Sequence, residues 1–597
     1  MKPALDWLDN RTGYRRLVHE TLFENVPGGA RWRYVWGSTL AFCFVIQVIT
    51  GTFLWLAYSP SSQTAWESVY FIQYEMAGGW FLRGLHHYTA HAMTVLLVVH
   101  LMQVVIDGAY KAPREFNFWS GIILLQLVLA LSLTGYLLPW DQKGFWATRV
   151  ATNIAAITPF IGPSLQQLIV GGSEYGHHTL TRFFALHAGI IPGAIIAFIV
   201  GHIYFFRKHG LTPKLPRRRP DAAFWPDQVL RDAVACLAVL AVVLFLVFRY
   251  QGAALGAPAD PSEQFSAARP EWYFLFLFEL LKYFPGGTEV WGAIVIPGIL
   301  LLILAVMPFI GNWKLGHRFN VAYLWAMLGG AALLTVLALR ADRSDPNYRL
   351  AVETADRDAK RVIELARSPE GIPVSGAVTL LRNDPLTQGP KIFARNCASC
   401  HRYDGHDGLG GQPKDEISAA DLKGFASREW LKGLLDPEKV ASLHYFGGTA
   451  FSDGKMVNYV KEDIASFGAE DQALLQHAIV ALSAEAQLKS QRALDEANAA
   501  VIKLGTEALT GDRLGCMECH TFHESGEETA PSLTGYGSRE WLIAFITNPE
   551  HERFYGEDND RMPAFGVEKS LTPQEIGLVA DWIRGEWYVP PAPIGAR

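Results

Sequence analysis

His86 and His100 stand fourteen residues apart in one apolar run, and His187 and His202 stand fifteen apart in another. On a helix that turns about 100° and rises about 1.5 Å per residue, each pair returns to within roughly 40–60° of one face, about 21–22 Å apart. Two such helices side by side present two levels of facing imidazoles, His86 with His187 and His100 with His202. Neutral imidazoles on both axial positions make a low-spin, electron-transferring haem iron. A single membrane histidine can instead line a polar interior or bond a neighbouring helix; four at matched intervals favour haem. His87 and His91 are read as bystanders.

A second interval repeats the first. Gly37 and Gly51, and again Gly121 and Gly135, are fourteen apart. A missing side chain lets a porphyrin edge approach the backbone, although small residues also serve close packing of membrane helices. Arg83 and Arg114 are candidates for neutralising haem propionates, or else interfacial anchors. Pro270-Glu271-Trp272-Tyr273 opens an aromatic segment in which a carboxylate can take a proton beside an apolar pocket. The same Pro-Glu pair also suits the first turn of a helix.

Towards the C-terminus, Cys397-Ala398-Ser399-Cys400-His401 and Cys516-Met517-Glu518-Cys519-His520 each bring two thiols and an imidazole together. Such a motif attaches a c-type haem by two thioethers, with His401 or His520 on the iron. A zinc half-site or redox dithiol is the competing reading, and no second cysteine pair completes a zinc set. Ser427-Arg428-Glu429-Trp430-Leu431 recurs as Ser538-Arg539-Glu540-Trp541-Leu542, each time after a haem motif and before a methionine, so the tail is an internal duplication. Met456 and Met562 are the candidate sixth ligands, with His444 or His406 as substitutes for Met456.

The elements that must position these groups follow from hydropathy. The 597-residue chain is 50% hydrophobic and 12% aromatic, too long for one domain and too apolar to be wholly soluble. Apolar runs near 34–57, 80–106, 118–138, 185–206, 229–249, 289–310 and 320–340 approach or exceed the roughly 20 residues that cross a bilayer. Lys and Arg concentrate in the N-terminal arm (Arg11, Arg15, Arg16, Arg31, Arg33), the second loop (Lys111, Arg114) and the fourth (Arg207, Lys208, Lys214, Arg217 to Arg219), whereas 58–79 has none. The N-terminus is therefore expected in the cytoplasm and the tail, after seven spans, on the opposite side. No cleaved signal peptide is expected. From Leu386 onward 20 Lys+Arg face 32 Asp+Glu, a net of −12, which reads as solubility or as steering of a basic electron acceptor.

The four histidines, the paired glycines, Gly135-Tyr136-Leu137-Leu138-Pro139-Trp140-Asp141-Gln142 and Pro270-Glu271-Trp272-Tyr273 together resemble cytochrome b of the cytochrome bc complex family. The resemblance covers about residues 5–340. The fifteen-residue histidine interval and seven spans are similar to the plastid type, there split into cytochrome b and subunit IV and here joined. The tail resembles two class I cytochrome c domains, in which Met562-Pro563 has the usual setting of a sixth ligand and the duplication aligns Met456 with it. The expected architecture is all-α: a four-helix dihaem domain (1–220), a three-helix domain (221–345), a linker (346–385) and two small helical c domains (386–487 and 488–597).

The resemblance implies two b haems, two covalent c haems and a quinol substrate. It assigns quinol oxidation on the outer side to Glu271 and Tyr273, with Pro270, Trp272, Tyr136, Trp140 and Gly144 shaping the pocket. It implies an inner quinone site with Arg207 and Glu20, a Rieske iron–sulfur partner, a periplasmic cytochrome c or oxidase acceptor, a homodimer, and no nucleic acid. The spare cysteines, Cys43 and Cys236, lie in apolar runs, so the Rieske protein is expected as a separate chain. The fusion and the expected lack of a cleaved targeting segment point to a bacterial inner membrane. Val35 stands where plastid-type proteins have the cysteine that binds an extra haem, and Cys43 lies about two turns away, so no extra haem is expected. An electron conduit without quinol oxidation is the competing function; the Glu271 setting argues against it.

Overall fold

The computed structural model describes residues 2–212, 220–413 and 415–591; Lys214 and Arg217 to Arg219 lie outside the described residues. Among the described residues seven helices are long and apolar enough to span a bilayer: α1 (Trp32–Trp55), α2 (Gly79–Ile106), α3 (Glu115–Leu137), α4 (His177–His209), α5 (Phe224–Tyr250), α6 (Trp291–Ile310) and α7 (Gly316–Ser344). They coincide with the seven expected runs, and the protein is a multi-pass membrane protein. Val45, Ile49 and Phe53 on α1, Leu237, Val242 and Phe245 on α5, and Leu333 and Val336 on α7 are exposed. So broad an apolar surface is stable only against lipid.

The chain divides into two compact units, residues 1–363 with 372–378, and 364–371 with 379–597. In the first, α1 packs on α2, α3 on α4, and α5 lies against both α1 and α2. Cys43, Phe44, Met93, Leu96, Val128, Ile191 and Ile195 fill the centre of that bundle. A two-stranded antiparallel pair, β1 (Asn25–Val26) and β2 (Ala222–Ala223), ties the segment before α1 to the segment before α5.

Helix α4 has one irregularity that decides its register. Residues Leu186–Ile190 form a wide π turn just before Pro192, whose ring lacks an N–H and crowds the carbonyl of residue 188. A π turn takes up one extra residue. The fifteen-residue interval from His187 to His202 is thereby made equivalent to the fourteen-residue interval on α2.

The expected linker is partly ordered: Pro346–Ala366 is a helix, built from a run rich in Ala, Glu, Lys and Arg. In the second unit the main helices are α8 (Pro385–Asn396), α9 (Arg428–Leu434), α10 (Ala469–Glu485), α11 (Ala499–Thr510), α12 (Arg539–Thr547) and α13 (Pro573–Ile583). Their packing does not follow a boundary at 487/488. Helix α10 packs on α11, and α8 packs on α13. One core holds Trp430, Leu431, Val457, Leu475, Leu482, Leu509, Leu514 and Phe522; the other joins Ile392 and Phe393 to Trp541, Leu542, Phe554, Val579 and Trp582. Between α10 and α11 lie residues 486–498 with the short helix Arg492–Ala497, so the two are close in sequence as well as in space, and α8 is left to α13.

Candidate haem and quinol sites

Each of the four histidines lies against one of the four glycines on the adjacent antiparallel helix. A Cβ built on Gly51 would stand 3.2 Å from His86 Cε1, on Gly37 3.7 Å from His100 Cε1, on Gly121 3.2 Å from His202 Cε1, and on Gly135 2.5 Å from His187 Cε1. The rings of His86 and His187 face each other with centroids 6.3 Å apart, and His100 is within electrostatic reach of His202. Two levels of paired imidazoles therefore line the bundle interior, each beside backbone that carries no side chain.

The residue before three of the four glycines completes the arrangement. Thr50 Oγ1 shares a hydrogen bond of 2.8 Å with His86 Nδ1, Ser120 Oγ one of 2.9 Å with His202 Nδ1, and Thr134 Oγ1 one of 3.2 Å with His187 Nδ1. The Leu131 carbonyl also lies 3.1 Å from His187 Nδ1. Holding Nδ1 in this way leaves Nε2 as the metal-binding nitrogen. Before Gly37 stands Trp36, which offers no hydroxyl to His100. The donor set and its glycine-lined cradles fit a b-type haem at each level.

Arg83 and Arg114 are engaged elsewhere. Arg83 donates to the Gln73 side chain and to the carbonyls of Ala253 and Ala254, because the segment after α5 turns its carbonyls inward there. Arg114 donates to the carbonyls of His209 and Gly210, capping the end of α4, where a cation meets the negative end of the helix dipole.

At Pro270-Glu271-Trp272-Tyr273 the structure assembles a polar cluster that includes two residues sequence reasoning had left out. Glu271 Oε1 is 3.6 Å from Lys143 Nζ, and Glu271 Oε2 is 4.0 Å from His91 Nε2. Trp272 Nε1–H donates to His91 Nδ1 at 2.9 Å, and the Tyr273 and His91 rings are 5.8 Å apart. His91, which lies outside the haem pairs, is one helical turn beyond His87 and on the face of α2 turned to Glu271. The Lys143 ammonium also lies over the Tyr136 ring, 5.6 Å from its centroid, and the Tyr136 hydroxyl donates to the Arg269 carbonyl. Trp140 and Gly144 lie in tightly packed backbone beside this cluster. The Trp140 carbonyl accepts from Ala259 N–H, and a Cβ on Gly144 would stand 2.4 Å from the Tyr136 carbonyl oxygen. At the opposite end of α4, Arg207 pairs with Glu24 at 3.3 Å and donates to Thr21, while Glu20 pairs with Arg16. The carboxylate beside Arg207 is Glu24, one turn beyond the expected Glu20.

In the second unit both Cys-x-x-Cys-His motifs and both methionines line one cavity of about 1590 Å³. That exceeds the roughly 300–1,000 Å³ of an ordinary ligand pocket and suits two macrocycles. The His401 ring bonds the Ala420 carbonyl at 2.8 Å and the His520 ring the Pro531 carbonyl at 2.7 Å, in each case through Nδ1. Burial holds both imidazoles below their usual pKa, opposed by those carbonyls, which favours the neutral, ligating form. Burial also pushes the Cys397 thiol up to about 12 and Cys516 up to about 11. The donor set fits a c-type haem at each motif. The methionines, however, are not placed repeat by repeat. Met456 packs in the core that holds Cys516 and Met517, and Met562 in the core that holds Cys397 and Tyr403. His406 Nδ1 accepts from Gly408 N–H, and His444 Nδ1 is 3.9 Å from Asp421.

Comparison with known proteins agrees with this geometry. Residues 24–210 match the family described as "Cytochrome b/b6/petB", residues 258–348 "Cytochrome b(C-terminal)/b6/petD" and residues 386–467 "Cytochrome c". Cytochrome b of Rhodobacter capsulatus is 33% identical over 308 residues, 49% of this chain and 70% of that protein. The menaquinol:cytochrome c reductase cytochrome b subunit of Bacillus subtilis is 38% identical over 218 residues, 35% of this chain and 97% of that one. Cytochrome b6 of Rippkaea orientalis is 33% identical over 213 residues, 36% of this chain and 96% of that one. A solved structure titled "Hyperthermophilic respiratory Complex III" superposes with a TM-score of 0.50 at 27% identity, over 60% of this chain and 95% of that chain. With its histidine pairs, its b6-type and subunit-IV-type regions in one chain and a cytochrome c domain after them, this protein belongs to the cytochrome b family.

Proposed function

We propose that this chain is the b–c fusion subunit of a quinol:cytochrome c oxidoreductase, with two b haems, two c haems and a separate Rieske protein as partner. The cluster of Glu271 with Lys143, His91, Trp272 and Tyr273 carries the proposal, since it supplies a carboxylate for proton removal within a partly apolar pocket. Glu271 takes a proton from a quinol hydroxyl. Lys143 holds the carboxylate in place, and His91 fixes the Trp272 indole that walls the pocket. Haems bound at the two histidine levels supply one-electron transfer across the bilayer.

At the far end of α4, Arg207, Glu24 and Thr21 line the quinone-reducing side and deliver protons from the cytoplasm. The Lys and Arg of the N-terminal arm place that side in the cytoplasm, and seven spans then put the tail in the periplasm of a bacterial inner membrane. There its two haem domains hand electrons to a soluble cytochrome c or an oxidase. The relatives named menaquinol:cytochrome c reductase support this reading. The complex is a homodimer.

The test is quinol-dependent cytochrome c reduction by the purified complex and by its Glu271→Gln variant. A fall of at least tenfold at unchanged haem content is expected; an unchanged rate removes Glu271 from quinol oxidation and favours a conduit that is loaded by another enzyme.

A further inference from the structure

The two copies of Ser-Arg-Glu-Trp-Leu are offset by 111 positions, and that offset pairs Phe425 with Tyr536 and Ala426 with Gly537. These equivalent residues touch one another. The Phe425 and Tyr536 rings are 5.4 Å apart, and a Cβ on Gly537 would stand 2.2 Å from Ala426 Cβ. Ala426 and Gly537 share a left-handed backbone, with φ of 60° and 73°. Contact between equivalent positions is the signature of a local two-fold axis, and the axis here runs through the point where each repeat passes from its haem motif to its tryptophan helix.

Each half beyond that crossing belongs to the other repeat's haem motif. The leader helix α8 of the first motif meets α13, where a Cβ on Gly389 would fall 2.2 Å from Trp582 Cβ and Arg395 pairs with Glu575 at 2.8 Å. The leader helix α11 of the second motif meets α10 in the same way, with Gly505 against the His477 carbonyl and Ala481. One turn after Met456, the Tyr459 hydroxyl donates to the Leu514 carbonyl, two residues before Cys516. Met456 packs with Cys516 and Met517, and Met562 with Cys397 and Tyr403. Arg584 locks the crossing, donating to the carbonyls of Ala486 and Gly537 and to Glu586.

We infer that the two cytochrome c repeats exchange halves, so that Met562 is the sixth ligand at the Cys397–Cys400–His401 site and Met456 the sixth ligand at the Cys516–Cys519–His520 site. The inference rests on covalent haem attachment at both motifs. Neither site is complete within its own repeat, and the stretch from α9 to the second haem motif is a contiguous unit with the order of a cytochrome c permuted.

The test uses the full chain in its complex, with one haem motif disabled by Cys516→Ser and Cys519→Ser, so that the first motif alone carries a c haem. Covalent haem is read by haem staining of the denatured chain, and methionine ligation by the long-wavelength sulfur-to-iron charge-transfer band of the ferric protein, which the bis-histidine b haems lack. Adding Met562→His is expected to abolish the band while the haem stays low-spin and attached; Met456→His is expected to leave it. The reverse pattern, Met456→His abolishing the band and Met562→His sparing it, overturns the exchange. Absence of covalent haem from the wild-type chain overturns instead the haem reading on which it rests.

A second measurement does not depend on folding of the single-haem chain. A protease site placed in residues 487–491 of the two-haem protein is cut, and the membranes are washed with salt. Under exchange the C-terminal fragment stays bound and both methionine bands persist. Its release with an intact methionine band of its own overturns the inference.

Discussion

Replacing Gly135 by alanine puts a Cβ 2.5 Å from His187 Cε1, where carbon atoms in ordinary contact stand about 3.5 Å or more apart. The imidazole must retreat by roughly 1 Å, away from the Thr134 hydroxyl and the Leu131 carbonyl that bond its Nδ1 from the same helix. Overpacking of this kind costs about 1–3 kcal/mol, and losing two hydrogen bonds adds about 1 kcal/mol each. The total of about 3–5 kcal/mol corresponds to a loss of roughly two to nearly four orders of magnitude in retention of the haem at the His86–His187 level. Gly37→Ala is the internal control, because its Cβ would meet His100 at 3.7 Å, an unstrained contact. The assay is haem extracted from purified protein, with a redox titration to show which b haem survives. Gly135→Ala is expected to keep one b haem and Gly37→Ala both. A Gly135→Ala protein with two b haems of unshifted potential would refute the steric argument.

Four further outcomes follow from the same geometry. His91→Leu removes the acceptor of the Trp272 indole and is expected to lower quinol-dependent cytochrome c reduction about tenfold at normal b-haem content. Arg83→Gln frees the carbonyls of Ala253 and Ala254 and should cost about 3 kcal/mol or more, seen as proteolytic sensitivity of the segment after α5. Arg584→Met frees the carbonyls of Ala486 and Gly537 and leaves Glu586 only Lys489, and should cost about 2–3 kcal/mol, read as a lower melting temperature of the c-type haem band. Glu575 is held below the usual carboxylate range by the Thr572 N–H and hydroxyl and by Arg395. Its contribution is therefore present above pH of about 4.3 and lost as pH falls through its folded pKa. Glu575→Gln should flatten that acid-side loss of stability, measured by melting from neutral pH down to well below pH of about 4.

Much of the membrane half was legible because its chemistry is periodic. Histidines fourteen apart and glycines fourteen apart share one interval, as two sets on one pair of haem levels must, and seven apolar runs gave the seven spans. What periodicity could not show was the π turn before Pro192, which reconciles the fifteen-residue interval with the fourteen-residue one; the signal was the proline itself. Thr50, Ser120 and Thr134, each just before a glycine, were equally readable and went unread. His91 and Lys143 could not be found by spacing, since they meet Glu271 from helices 128 or more residues away in sequence. In the tail the motifs and methionines were plain, but their pairing was not. Duplication says that two sequences are equivalent, and nothing in it says whether each folds on itself or on its twin.

The meeting of α8 with α13 also sets a schedule for the making of the protein. Arg395 and Glu575 are 180 residues apart in sequence, so the first haem motif leaves the ribosome long before the helix that covers it, and contacts of such separation close slowly. The second motif follows its own covering helix, α10, and finds it at once. Maturation of the tail thus runs against the order of translation: the first thiol pair to emerge waits exposed to the attachment machinery, and its site is the last to be sealed.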